Sequence, residues 1–283
     1  MADITEYGSF NTSWCPGCGN FPILESVKKS LVDLGLKPQD VFMVSGIGQA
    51  AKLPHYLNCN MYNGLHGRAL SPAQAAKLAL PELTVVVNSG DGCSYGEGGN
   101  HFLAAIRRNV DITLLAHDNQ IYGQTKGQAS PTTLAGQKTK AQPGGVNNQP
   151  FNPIAVAVAM KAGFVARAFS GMQEHLQEMI KLAIKHKGFS LVDILQPCVS
   201  FNKVNTHGWY KERVRELGDE HDPRDWDQAM QVAQEFGEAI PIGVIYENDL
   251  PDLGAKIPAV QKGALYKQAV DMDVLAEIME GYA

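Results

Sequence analysis

Five short apolar runs punctuate this chain: VFMV (41 to 44), LTVVVN (83 to 88), DITLLAHD (111 to 118), FVARAF (164 to 169) and LVDIL (191 to 195). Each is apolar on both faces, so each must be covered from both sides. Stretches of helical periodicity separate them, near residues 22–34, 71–80, 98–108, 152–162 and 172–187. Strands alternating with helices form a mostly parallel sheet with helices on both faces, and the chain is expected to be an α/β protein of that kind. Ligands of such sheets collect beyond the carboxyl ends of the strands. Those are the places where the sequence becomes polar and rich in glycine: SGIGQAAK, SGDGCSYGEGGN, NQIYGQTKGQ and QPCVSFN each follow a run.

The remaining composition narrows the function classes. With 283 residues, 45% hydrophobic, 19% charged and a net charge of -5, the chain has no electrostatic pull toward nucleic acid or anionic membrane. The start MADITEYGSF lacks a basic region and an apolar core, and no segment approaches a bilayer span, so a cytoplasmic location is expected. Five cysteines do not make a secreted disulfide framework; reduced, they are free to bind metal or react. Residues 1–200 read as one α/β domain. Residues 201–283 are charged and rich in turns, with a helical pattern only over 225–237, and are expected to form an irregular extension that packs on the domain or on a partner subunit. The stretch 124–150 has no apolar periodicity; a loop that long is usually functional or disordered.

The motif VVVNSGDG carries the first chemical clue. Gly90 and Gly92 let the backbone turn sharply after a buried strand, which leaves the Asp91 carboxylate in the strand-end crevice. HDNQIYG ends the next strand in the same manner, with Asn119 lying 119 − 91 = 28 positions after Asp91. Two oxygen ligands on adjacent strand ends, with a loop carbonyl, suit Mg2+ shared between protein and a diphosphate. GDG alone reads equally well as an ordinary turn.

The spacing from GDG to Asn resembles the thiamine diphosphate fingerprint. In that pattern the Asp, the Asn and a main-chain carbonyl two residues on hold Mg2+ against the diphosphate, which implies Asp91, Asn119 and the carbonyl of Ile121 here. The resemblance is wider: WCPGCGN, VSGIG, HGRA, GDG, NHFLAAIRRNVDITLL, NQIYGQTKGQASPTT and LQPC occur in the order found in the β subunit of two-subunit 2-oxoacid:ferredoxin oxidoreductases. The match runs over about residues 10 to 205, with a weaker continuation at IPIGVIYEN. It implies the diphosphate-binding half of a thiamine diphosphate fold, with Gly48, His66, Gly90, Gly92, Tyr122, Gly123 and Thr125 also at the cofactor.

The cysteines of WCPGCGN can be read three ways. A thioredoxin-like CxxC follows a strand, and no strand pattern precedes Cys15 and Cys18. A zinc knuckle wants a second CxxC or paired His, and none is present. The family resemblance implies a 4Fe-4S cluster on Cys15, Cys18 and Cys198. The family's fourth cysteine directly follows SGIG, where this chain has Gln49. Cys59, ten residues further on, is the expected replacement; Cys93, beside GDG, and a non-cysteine ligand are the alternatives.

Lys52, Lys126 and His66 lie in strand-end loops and are candidates to contact the substrate carboxylate, although solvated lysines and a loop-bracing His66–Arg68 pair explain them as well. The resemblance further implies an α subunit bearing the pyrimidine-binding domain and the catalytic Glu, so this chain is expected to be inactive alone. It implies oxidative decarboxylation of a 2-oxoacid to acyl-CoA and CO2, with electrons passed through one cluster to ferredoxin, reversible as a reductive carboxylation. A dimer of αβ heterodimers is expected. LQPCVSFN and the IPIG segment look more like the 2-oxoglutarate class than the pyruvate class. A non-oxidative thiamine diphosphate decarboxylase or synthase with structural zinc is the reading from another class.

Overall fold

In the computed structural model, which describes residues 2–282, the alternation produces a single eight-stranded sheet. Its strands are β1 (Val41–Ser45), β2 (Asn60–Asn63), β3 (Thr84–Gly90), β4 (Thr113–Asp118), β5 (Phe164–Phe169), β6 (Ser190–Leu195), β7 (Val214–Glu216) and β8 (Ile240–Glu247), in the order β2-β1-β3-β4-β6-β5-β8-β7. The first six run parallel; β8 is antiparallel to β5, and β7 is parallel to β8.

Two apolar layers sandwich the sheet. Along β3 the side chains alternate, with Val85 and Val87 facing one layer and Val86 the other. The first layer is filled by α2 (Leu70–Ala79), α3 (Gly99–Arg108), α4 (Pro153–Ala159) and a later helix, Trp226–Gln234; the second by α1 (Asn20–Asp33) and α5 (Gln173–Lys185). Helix α1 shows why the pattern is readable. Ile23, Leu24, Val27 and Leu31 form its buried stripe, and Gly35 at φ +71° stops it, with the Leu36 N–H reaching back to the Leu31 carbonyl at 3.0 Å.

Residues 201–283 are more regular than their composition indicates. Besides Trp226–Gln234, helices form at His207–Arg213, Pro258–Gln261 and Met272–Glu280. The segment IPIGVIYE enters the sheet as β8, so the extension docks on the preceding residues through main-chain pairing with β5. Pro241 and Gly243 disguise the strand, because both residues are rare inside sheets. Gly243 adopts φ +133°, and the register slips between Val165 and Ala166. The edge strand β2 is exposed at all four positions and has no apolar signature to read. Among the described residues no helix is long and apolar enough to cross a membrane.

Leu31 is fully buried between α1 and α5. Leu31→Ala is expected to cost about 2–5 kcal/mol by loss of burial plus a cavity; urea unfolding followed by circular dichroism measures it, and a loss under about 1 kcal/mol would show that this stripe does not anchor α1.

Candidate functional site: a strand-end cavity

The ends of β1, β3, β4 and β6 open into one cavity of ≈ 380 Å³. A wider groove of ≈ 1170 Å³ lies between α1, α5 and the β7–β8 edge, but it carries none of the candidate site residues. The chemistry is therefore in the smaller cavity.

After β3 the chain turns through Gly90, Asp91 and Gly92 into a wide helical turn, Gly92–Glu97. Gly92 is required by packing, since a Cβ there would run into the Tyr122 ring. Asp91 is 2% exposed yet reaches the cavity. The Thr132 hydroxyl lies 2.8 Å from Asp91 Oδ2 and 2.7 Å from Asp118 Oδ1, and the backbone N–H groups of Gly92 and Asn119 also serve Asp91. Burial pushes both carboxyls above the usual carboxylate range, and the neighbouring Asp193 and Asp91 charges push Asp118 further. One hydroxyl proton serves one carboxylate at a time. Asp118 does not line the cavity, whereas Asp91 does and can offer its oxygens to a cation.

Asn119 and Ile121 line the same wall. Gln120 between them takes the left-handed conformation at φ +56°, and the Ile121 N–H donates to Asn119 Oδ1 at 3.0 Å. Asn202 Nδ2 pins the turn by donating to the Asn119 carbonyl at 3.1 Å. No lysine or arginine lines the cavity. A bound diphosphate must therefore be neutralised chiefly by a divalent cation, and the oxygens of Asp91, Asn119 and the Ile121 carbonyl are the hard donors such a cation takes.

Gly48, His66, Tyr122, Gly123 and Thr125 also line the cavity, in keeping with the sequence motifs. His66 Nδ1 pairs with Glu97 Oε2 at 2.9 Å, and the Tyr122 hydroxyl donates to the same carboxylate at 3.1 Å. The two lysines fall outside the lining. Lys52 Nζ donates to Ser13 Oγ at 2.9 Å, and Lys126 is exposed on the loop beyond Thr125.

Beneath the cavity floor lies a polar layer that sequence reading does not reach. Tyr95 donates its hydroxyl proton to Asp193 at 2.7 Å; burial raises the Asp193 carboxyl to about 6. Arg167 lies fully buried close by, bonded to the Pro241 carbonyl at 3.1 Å. Thr132 belongs to the 124–150 stretch, which is ordered here because its buried groups are hydroxyls and amides. Only a buried polar residue predicted inside a loop would have revealed it.

Three cysteines meet at the opposite wall. The 15–18 loop packs on the 196–200 loop, with the Gly19 N–H bonded to the Pro197 carbonyl at 3.4 Å. Cys15, Cys18 and Cys198 all face the cavity. Ser200 Oγ donates to Cys15 Sγ at 3.0 Å and Gln196 Nε2 to Cys18 Sγ at 3.4 Å. Burial, then the Cys198 and Cys15 charges, push the Cys18 thiol up, so thiolates here call for a cationic centre to share. Among the described residues no three His, Cys, Asp or Glu side chains converge on a single ion position, so the three thiols share the wall without a preassembled metal site.

Cys59, expected to complete the set, is not brought to it. It precedes β2, whose Asn60 lies beside Phe42 near the start of β1, whereas the cavity opens beyond Ser45. Four residues at ~3.3 Å each place it roughly 13 Å below the rim along the strand. It packs in the apolar layer near Tyr7, where burial raises the thiol to about 11. Cys93 does line the cavity, on the cation side, and its sulfur accepts from the Gly67 N–H at 3.1 Å.

Comparisons with known proteins identify the family. Residues 43–194 match the family "Thiamine pyrophosphate enzyme, C-terminal TPP binding domain", and residues 198–262 match the family of the C-terminal part of the pyruvate ferredoxin oxidoreductase β chain. The chain is 45% identical over 252 residues to the β subunit of 2-oxoacid:ferredoxin oxidoreductase 1 of Aeropyrum pernix, covering 85% of this chain and 79% of that protein. It is 39% identical over 203 residues to the 2-oxoglutarate synthase subunit KorB of Archaeoglobus fulgidus, covering 72% and 76%. Among solved structures it is similar to a 2-oxoglutarate:ferredoxin oxidoreductase from Magnetococcus marinus with 2-oxoglutarate, coenzyme A and succinyl-CoA bound. There the TM-score is 0.91 and the identity 35%, over 98% of this chain and 95% of the other.

Thr132→Val removes the hydroxyl shared by Asp91 and Asp118 while keeping its volume. Leaving buried carboxyls without that partner costs about 1–3 kcal/mol, so the affinity for Mg2+ and thiamine diphosphate should fall roughly tenfold or more, with Thr132→Ser close to the parent. Isothermal titration reads this directly, and an unchanged Kd for the valine variant would contradict the role.

Proposed function

Because the chain belongs to the β subunits of 2-oxoacid:ferredoxin oxidoreductases, we propose that it works with an α subunit in the oxidative decarboxylation of a 2-oxoacid. In this reading the products are acyl-CoA and CO2, ferredoxin takes the electrons, and the reaction is reversible as a reductive carboxylation. The preferred 2-oxoacid is 2-oxoglutarate. That preference rests on the KorB relatives and on the Magnetococcus structure, which aligns with nearly the whole chain. Pyruvate is the alternative, favoured by the match of residues 198–262.

The observation that carries the proposal is the meeting, in one cavity, of an oxygen-donor wall and a thiol wall. Thiamine diphosphate, held through Mg2+ at Asp91, Asn119 and the Ile121 carbonyl, supplies a nucleophilic carbon and an electron sink for decarboxylation. This chain's residues do the positioning. Asp91 carries the negative charge that binds the cation, and Thr132 fixes the direction of its carboxylate. Gly92 lets the Tyr122 ring close over the turn, and the Tyr122 hydroxyl and His66 are both tied to Glu97 at the rim. Three thiols stand ready on the other wall for an iron–sulfur centre. Asp91 itself has no basic group beside it to take a proton from the cofactor, which accords with the catalytic Glu lying on the α subunit, together with much of the substrate and coenzyme A site. Lys126 is exposed and Lys52 is tied to Ser13, so neither reaches the substrate from within this cavity wall.

Co-expression with an α subunit under anaerobic conditions and an assay of viologen reduction over several 2-oxoacids tests this reading. Activity should require both subunits and coenzyme A, and should be greatest with 2-oxoglutarate. Asp91→Ala should lower kcat/KM about 100-fold or more, the consequence of losing roughly 3 kcal/mol of charge stabilisation at the metal. Turnover without coenzyme A or an electron acceptor would instead mark a non-oxidative decarboxylase.

A further inference from the structure

Gln49 lines the same cavity as the three cysteines, and Trp14, the neighbour of Cys15, is bonded to its carbonyl. The Gln49 side-chain oxygen Oε1 is shielded from solvent and has no hydrogen-bond partner. A buried amide oxygen left unpaired costs about 1–3 kcal/mol, so its place in the wall calls for a partner. The backbone is firmly set: Trp14 Nε1 donates to the Gln49 carbonyl at 2.8 Å, and Gln49 starts the Ala50–Tyr56 turn with helical φ and ψ. The other two cysteines are committed elsewhere, Cys59 in the apolar layer and Cys93 under the diphosphate wall.

A four-iron cluster takes four thiolates, and this wall does not offer four. We infer that the cluster of this chain is held by only three thiolates, Cys15, Cys18 and Cys198, with Gln49 in place of a fourth thiolate. This rests on the functional reading above. Iron binds a neutral amide oxygen far more weakly than a thiolate, because the oxygen brings no charge to the metal. The fourth iron is therefore exchangeable, and the centre converts between four-iron and three-iron forms.

The test uses the αβ complex, purified anaerobically. Ferricyanide takes one electron from a four-iron cluster in the 2+ state to give the 3+ state, which releases one Fe2+ and leaves a three-iron cluster in the 1+ state. Wild type should lose about one iron in four while keeping all of its sulfide, and should show the near-isotropic EPR signal of an oxidised three-iron cluster. Added Fe2+ with reductant should restore the original state. Gln49→Cys, which fits the helical backbone there, should hold all four irons under the same oxidation. Gln49→Ala, which removes the oxygen and tests the site without demanding a new ligand, should lose the fourth iron at least as readily as wild type. Cys59→Ser should behave as wild type. Retention of the fourth iron in wild type, or loss of the cluster in Cys59→Ser, would overturn the inference. Absence of iron and sulfide from a complex that still binds thiamine diphosphate would instead sink the electron-transfer reading on which it rests.

Discussion

Three carboxyl groups, Asp91, Asp118 and Asp193, are buried at the ends of adjacent strands, and within the described residues one buried guanidinium, Arg167, answers them. An ionised carboxylate without a partner costs several kcal/mol in such surroundings. Burial raises all three carboxyls, and the Tyr95 and Thr132 hydroxyls that donate to them offset part of that rise by favouring the ionised form. Only Asp91 reaches the cavity. The strain of excess negative charge is thus directed to the one position where a divalent cation can relieve it. Occupation of the site and stability of the sheet edge are coupled, because a ligand that binds only the folded state stabilises it.

That constraint also explains the parallel order of the central strands. Parallel β1, β3, β4 and β6 present all their carboxyl ends on one side, so four unrelated loops become the walls of one cavity. The antiparallel β8 brings no loop to that edge. It extends the sheet and covers Arg167, whose guanidinium reaches the Pro241 carbonyl at the start of β8.

Much of this is legible in the sequence, for a physical reason. Strands buried on both faces and helices with a single apolar stripe have unmistakable periods, and glycine or asparagine at strand ends announces a turn with a polar task. The illegible parts have equally definite causes. Strand β2 is solvent-exposed along its length, and β8 contains Pro241 and Gly243, so neither carries the period of a strand. Thr132 lies in a loop without apolar pattern, yet it is buried by hydrogen bonds rather than by hydrophobicity. Cys59 is misplaced by sequence reading because distance along the chain does not show which end of a strand a residue occupies. Ten residues after Gln49, the chain has returned to the amino-terminal end of the strands, beside the start of β1.

The two walls of the cavity are not independent. The turn that carries Asn119 and Ile121 on the cation side continues to Gly123, where a Cβ would stand 3.8 Å from Cys198 Sγ. Phe201, three residues beyond that cysteine, closes on Gly127 at the other end of the same loop. Asn202 completes the link by holding the Asn119 carbonyl. Residues 119–127 and 198–202 are therefore packed together, with oxygen donors at one end and sulfur at the other. The spacing of the two centres is held by short loop contacts rather than by the sheet. This allows the chain to vary its sulfur ligands while the Asp91 wall and the strands behind it stay unchanged.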